Sequence, residues 1–393
     1  MIMEKMVDGP VDERISQALY TEAELLRNYG DHSLAFFGLA PENRHFLAPG
    51  GEGLVNYRLV NKVAVVLGDP VCAPEACERV TARFLDYCTR HHWHIAFYQA
   101  SPAYLNSYSN LGLHSFKMGE EAILHPQTFT LKGSAMANVR TSARRAEREG
   151  VSIQWYDGAL PEEAMQQLEH VSSAWLAQKT DGHPAEMGFS MGKLTDLTNI
   201  AARTEIIAST PANRSSTTIP RLVTGVVTTR EGRACAFVTF TPIYGMLNAQ
   251  IPETVNQLED HGWGWSLDLM RRSPDAPPCV MELLLVRAIE RFQSCGAQVV
   301  SLGLVAMSDT RQEMPSVQQQ LTSFASHRLG MFEQRGSLFN FKQKFNPAWQ
   351  SRYLLIDSRR ALPQIALAVL SLRQYSGGKV VNLLTKRIGS SGK

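Results

Sequence analysis

The sequence predicts a mixed α/β (α+β) protein made of two similar halves, and three observations carry that prediction. First, "KVAVVLGDP" (62–70) is a β-branched run ending in a turn, followed by a helical pattern from about Glu75 to His92 and the apolar run "HIAFYQA" (94–100). Second, "ACAFVTFTPIY" (234–244), "CVMELLLVRAIERFQSCG" (279–296) and "AQVVSLGLV" (297–305) repeat that order of strand, long helix and returning strand. Third, short β-branched runs alternate with helix-length segments, the pattern of units in which a helix crosses between strands. The halves share this order and few identical residues.

The remaining elements follow along the chain. "AMANVRTSARRAEREG" (135–150) reads as a helix closed by Gly150, a C-cap residue. Its Arg140, Arg144 and Arg148 recur every four residues and so share one face. "PEEAMQQLEHVSSAWLAQK" (161–179) is a second helix with Leu168, Val171, Trp175 and Leu176 on its apolar side. "STPANRSSTTIP" (209–220) is polar and turn-rich, a hairpin loop. An apolar helix follows Leu362, and the basic end carries Lys379, Lys386 and Arg387.

The totals set limits on function. A chain of 393 residues suggests two or three domains, at roughly 150 residues each. Apolar and charged contents of 44% and 19% are those of a globular protein with a core. A net charge of +2 excludes a polycation, so attraction to nucleic acid or anionic lipid must come from local clusters. Cysteines 72, 77, 88, 235, 279 and 295 form no CxxC pair and no zinc-ribbon spacing, and read as reduced, mostly buried thiols of a cytosolic protein. The N-terminal "MIMEKMVDGPVDER" lacks the apolar core of a signal peptide. The longest apolar run, near 361–372, falls short of the ~20 residues a membrane span needs. The expectation is a soluble chain that at most sits on a membrane surface.

Chemistry-bearing clusters are few. "RHHWH" (90–94) invites a metal, but no second cluster supplies the remaining ligands, so a solvated helix end is the reading taken. There is no GxSxG elbow, P-loop or HExxH, and "GGEG" (50–53) lacks a dinucleotide-binding context. Missing nucleophile and cofactor signatures favour direct transfer between two bound substrates. Asp268, Arg271 and Arg272 stand before Pro274, Pro277 and Pro278 and the apolar helix from Val280. They suggest an anion site at a helix N-terminus. In "FNFKQKFNPAWQSRYL" (339–354) the alternation predicts a strand with one aromatic face and Lys342 and Lys344 on the other, able to hold a phosphate as point charges. The arginine face at 140–148 is either a solvated helix surface or a track for an RNA backbone.

Taken in order, "LGDP" (67–70), "FYQ" (97–99), "LGLHSFKMGEEA" (111–122), "FTLKG" (129–133), "AEMGFSMG" (185–192), "DLMRRSPDAP" (268–277), "SLGL" (301–304) and "FKQKFNPAWQSRYL" resemble the soluble catalytic domain of aminoacyl-phosphatidylglycerol synthases. The likeness spans about residues 30–355. It implies tandem N-acetyltransferase-like domains joined by a long helix, divided as 1–150, 151–355 and a C-terminal helix with basic tail at 356–393. It implies attack by a lipid hydroxyl, most expectedly of phosphatidylglycerol, on the ester carbonyl of lysyl- or alanyl-tRNA. The ester is already activated, so neither metal nor organic cofactor is expected. The partners implied are an aminoacyl-tRNA and an anionic phospholipid surface, reached at the inner face of the cell membrane.

Residue by residue, the family's DLMR motif falls on Asp268 and Arg271. Arg271 is expected to bind a phosphate and hold developing negative charge, and Asp268 to orient the aminoacyl amine or the attacking hydroxyl. Lys342 and Lys344 match the basic strand, and Arg352 the RYL ending. Glu186 and Ser190 fall in the E-x-GFS-x-G motif of the aminoacyl pocket. Arg140, Arg144 and Arg148 are the tRNA-binding candidates. The sequence departs from the pattern in three places: the "GLR" before KxKF is missing, "APLS" is replaced by "VAMSD" (305–309), and 243–265 is long and carries Trp263 and Trp265. These departures bear on the acceptor. A sterol, diacylglycerol or peptide amine stays open, as do an acyl-CoA-dependent N-acyltransferase and a non-catalytic RNA- or membrane-binding module.

Overall fold

The computed structural model describes residues 21–179, 189–209, 219–245, 263–306 and 332–373. The chain is a mixed α/β fold around one continuous sheet. Its strands are β1 (Arg44–Leu47), β2 (Gly53–Val60), β3 (Val63–Leu67), β4 (Val71–Cys72), β5 (His94–Ala100), β6 (His114–Leu124), β7 (Ser152–Asp157), β8 (Val223–Thr228), β9 (Ala234–Ile243), β10 (Gly264–Arg272), β11 (Val299–Ala306) and β12 (Ala348–Ile356). They lie in the order β1-β2-β3-β5-β12-β6-β11-β10-β9-β8-β7, with β4 beside β2. The helices are α1 (21–29), α2 (Cys77–Arg90), α3 (Leu105–Asn110), α4 (Ala137–Arg148), α5 (Glu162–Lys179), α6 (Leu197–Ser209), α7 (Val280–Ser294), α8 (Phe332–Gln343) and α9 (Leu362–Arg373).

Among the described strands, two pairs run parallel: β3 with β5 and β10 with β11. Each pair is bridged by one of the long helices read from the sequence, α2 and α7, because a parallel return needs a crossover. Strands β12 and β6 lie antiparallel at the centre, so the last strand of the chain pairs with β5 of the first half.

Both faces of the sheet are covered, which explains why its strands read as near-continuous apolar runs. In β3, Ala64 and Val66 meet the α2 side with Phe84. Val63, Val65 and Leu67 meet the α9 side with Ile365 and Ala368. In the second half Val238 and Phe240 pack with Val139 of α4 and with Leu284 and Phe292 of α7. Val226, Phe237 and Leu269 pack on the other face with Leu168 and Val171 of α5 and Ile200 of α6.

Three expectations change. The "FNFKQKF" stretch is no strand: it ends α8, with Phe341 and Phe345 at helical spacing and their rings 5.7 Å apart. Its alternation was ambiguous because residues four apart also share a helix face. Trp265, carried by the segment expected to bear on the acceptor, is turned into the core. It is buried, stacks on Phe292 at 4.2 Å and donates its indole N–H to Arg221 O at 2.8 Å. The apolar helix after Leu362 spends Leu362, Ile365, Ala368 and Leu372 on the core. Among the described residues no helix is long and apolar enough to cross a membrane. The loop at 210–218 and the tail with Lys379, Lys386 and Arg387 lie outside the described residues.

Candidate functional site

Strand β10 carries the acidic and basic residues of "DLMRR" inside the sheet, and a register shift between Leu267 and Met270 sets which way they point. Trp265, Leu267 and Met270 pack with the α7 core, while Leu269 shares the opposite face with α5.

 Leu269, 2% exposed, lies with Phe237 and Val171 on that face. Asp268 is 7% exposed; it accepts the Gly192 N–H at 2.7 Å and the Thr239 hydroxyl at 3.4 Å. Arg271 is 4% exposed, donates to the Ser172 hydroxyl of α5 and lies 5.2 Å from the Trp175 ring. A side chain at position 192 would run into the Asp268 carboxylate, so the glycine of "GFSMG" is a packing requirement. Half-buried Ser190 stands two residues before Gly192, in the segment that Asp268 holds; Glu186 lies outside the described residues.

This geometry divides the residues expected to form an anion site at the helix N-terminus: Arg272 lines a cavity with the first residues of α7, and the other two do not. Asp268 and Arg271 belong to β10; Arg271 turns to Ser172 of α5, and Asp268 to Gly192 and to Thr239 of β9. The first turn of α7 holds the chain's own carboxylate, Glu282, and Lys344 donates to it at 2.8 Å. A cavity of about 720 Å³ opens beside that pair, with Met270, Arg272, Met281 and Phe341 among its walls.

Lys342 takes a different direction from Lys344. It is 4% exposed, and its Nζ donates to the carbonyls of Gly303 at 2.9 Å and Leu304 at 3.3 Å on β11. Burial pushes its ammonium group down to about 8, against the opposing pull of Glu121. Arg352 of β12 is 7% exposed and donates from Nε to Glu121 of β6 at 2.6 Å. Ser301 donates to the same carboxylate. Burial works against the charge on Glu121, but Arg352 and the hydroxyls of Ser301 and Ser33 outweigh it and hold the carboxyl below its ordinary value. Asp69 of "LGDP" is buried nearby in the first half, accepting Tyr108 OH at 2.5 Å and the Ser101 N–H at 2.9 Å. Burial raises its carboxyl above the usual range, over the opposing effects of His32, Tyr108, Ser101 and Arg352.

The arrangement therefore joins Lys342 and Arg352 in one network, gives Asp268 and Arg271 separate partners on β10, and places Lys344 on the α7 side. Sequence reasoning missed Asp69, Glu121 and Ser301. The signal was present: each stands inside a stretch that carried the family likeness, and a glutamate beside "AIL" in a strand is costly to bury unless it is paired.

On α4, Val139, Ala143 and Ala146 face the core and the arginines point away. Arg140 is committed to the preceding loop, donating to Leu131 O at 2.5 Å and Gly133 O at 3.1 Å. Arg144 and Arg148 are exposed. An open groove of about 660 Å³ runs between this loop, α4 and α7, lined by Lys132, Arg140, Arg144 and Arg287. In "RHHWH", His91 stacks on Trp93 at 4.6 Å, and His94 Nδ1 lies 3.0 Å from Asp357. All six cysteines are free, four of them buried.

Fold and site define a mixed α/β protein with buried cationic groups on and beside two parallel strands joined by a helix. The chain belongs to the phosphatidylglycerol lysyltransferase C-terminal family, whose model matches residues 23–356. It is 27% identical over 367 residues to the lysylphosphatidylglycerol biosynthesis bifunctional protein LysX of Gordonia bronchialis, covering 91% of this chain and 28% of that protein. It is 24% identical to the phosphatidylglycerol lysyltransferase of Staphylococcus epidermidis, covering 89% of this chain and 37% of that one. The chain thus spans about a third of the length of these curated relatives. The solved structure of L-PGS from Bacillus licheniformis shares the fold, with a TM-score of 0.68, 24% identity and coverage of 94% of this chain and 98% of that one.

Proposed function

We propose that this chain transfers a lysyl or alanyl group from aminoacyl-tRNA to a lipid hydroxyl, with phosphatidylglycerol as the acceptor. The observation that carries the reading is the pair of buried cations, Arg271 and Lys342, held on β10 and against β11 in a chain of this family. In the reaction the lipid hydroxyl oxygen bonds to the ester carbonyl carbon and loses its proton. The bond to the terminal ribose oxygen of the tRNA breaks, and that oxygen takes up a proton. Fixed cations beside the reacting carbonyl stabilise the negative charge that develops on its oxygen. Arg271 is suited to a phosphate or to that oxyanion, because Ser172 and Trp175 hold its guanidinium in place. Asp268 holds the segment with Ser190 and Gly192 as one wall of the aminoacyl pocket. Lys344 and Arg352 act within this scheme through Glu282 and Glu121.

The exposed Arg144 and Arg148 are proposed as tRNA phosphate contacts, with Arg140 shaping the adjoining loop. The two strand–helix–strand halves support the tandem N-acetyltransferase-like organisation and its division near residue 150. The site of action proposed is the inner face of the cell membrane. The test is to incubate the protein with lysyl-tRNA or alanyl-tRNA and phosphatidylglycerol vesicles, then analyse the extracted lipid by mass spectrometry. A lysyl- or alanyl-phosphatidylglycerol product is expected; intact acceptor with both donors overturns the reading.

A further inference from the structure

Glu121 is 1% exposed at the seam of the sheet, on a strand flanked by β12 and β11. One carboxylate oxygen accepts from Arg352 and the other from the Ser301 hydroxyl. Ser301 Oγ in turn accepts the N–H of Gly303 at 3.0 Å. The carbonyls of Gly303 and Leu304 then accept from Lys342. This last step depends on a register shift between β11 and β6 at Ser301 and Leu304. Such a bulge takes backbone groups out of the ladder and re-aims them. Gly303 makes the bulge with φ +82°, and a side chain there would lie 3.6 Å from Lys342 Nζ. One chain of contacts therefore runs from Arg352 through Glu121, Ser301 and Gly303 to Lys342.

We propose that Glu121 is a positioning residue for Lys342: through Ser301 and the bulged backbone it fixes where the amino group stands, and its carboxylate keeps that group cationic. Charged groups on the adjoining elements have partners of their own. Arg352 shares the Glu121 carboxylate, Lys344 pairs with Glu282, and Asp268 and Arg271 are engaged by Gly192 and Ser172. Burial acts against the charge on Lys342, and Glu121 opposes it. The consequence for transfer rests on the role given to Lys342 above; the positioning itself is testable without an activity assay.

The experiment is an NMR pH titration of the full chain labelled with [ε-13C]lysine, with Lys342→Arg identifying the Lys342 signal. Glu121→Gln is expected to move the Lys342 midpoint to lower pH by about one unit, the scale of a lost opposite charge. Glu121→Asp, which keeps the charge, should leave the midpoint near the wild-type value. Ser301→Ala, which keeps both charges, should also leave it there and change the Lys342 chemical shift. If Glu121→Gln fails to fold, Ser301→Ala carries the test, because it breaks the link between Glu121 and the bulged backbone. An unchanged midpoint in the folded Gln variant, or an unchanged Lys342 chemical shift in Ser301→Ala, overturns the proposal. A shifted midpoint in a protein that makes no aminoacyl-lipid would sink the transfer reading and leave the positioning role standing.

Discussion

Arg271 and Lys342 are both buried, yet they differ in what pH can do to them. A guanidinium stays charged throughout the working range, whereas the Lys342 ammonium is brought down to about 8 by burial. If Lys342 serves as a cation, transfer is fully active below that value and is lost as pH rises through it. A pH profile of kcat/KM checks this, and Lys342→Arg, which does not titrate there, should remove the alkaline limb. Arg271→Ala should cost about 10²-fold or more in rate, as expected for one contact that strengthens in the transition state. Arg271→Lys should recover little, because a point charge cannot reproduce a planar fork held by Ser172 and lying over Trp175. Lipid aminoacylation, with a melting curve to confirm folding, measures both.

At the scale of elements, α4 shows how one helix divides its duties. Its apolar stripe of Val139, Ala143 and Ala146 fastens it to the core. Its arginines were read as one equivalent face. Arg140 is tied to two loop carbonyls, leaving Arg144 and Arg148 in solvent. Arg144→Glu with Arg148→Glu should weaken tRNA binding and reduce its salt dependence, since each phosphate contact releases counterions. Helix content should hold, because glutamate is also a good helix former. Arg140→Glu should in addition loosen the loop at 131–134, visible as faster amide exchange there. Filter binding at two salt concentrations separates these effects; unchanged affinity in the double variant returns the pair to a solvated surface.

For the whole molecule, the position of β12 decides what can be removed. It lies between β5 and β6 in the middle of the sheet. Ending the chain at residue 347 leaves two inner strands with unpaired backbone groups, and an insoluble product is expected. Deleting 376–393 should leave the core folded and weaken sedimentation with anionic vesicles at low salt. Lys379, Lys386 and Arg387 would each contribute about 1 kcal/mol near such a surface. Equal binding to neutral and anionic vesicles counts against that basic anchor. Trp265 and the α9 positions Leu362, Ile365, Ala368 and Leu372 are committed to the core and are not available to such a surface.

By itself the sequence determined the first strand–helix–strand unit, the helix and returning strand of the second, and the family. The run at 234–244 read as the second unit's first strand is an antiparallel neighbour of β10, the strand that α7 joins to β11. Hydrophobic periodicity and turn residues are local properties, and the family's short motifs survive at their own positions along the chain. Tertiary structure decided what those motifs do. Ser301 and Arg352 are separated by 180 and 231 positions from Glu121 and meet it only because β11 and β12 flank β6. The direction of Asp268 and Arg271 was illegible because a bulge in β10, not the alternation of residues, sets it. Lys342 and Lys344 look equivalent in a strand; at the end of a helix they part, one to the carbonyls of β11 and the other to Glu282. Distant pairing and backbone irregularity leave no local signature, so the network around Lys342 could be seen only in the folded chain.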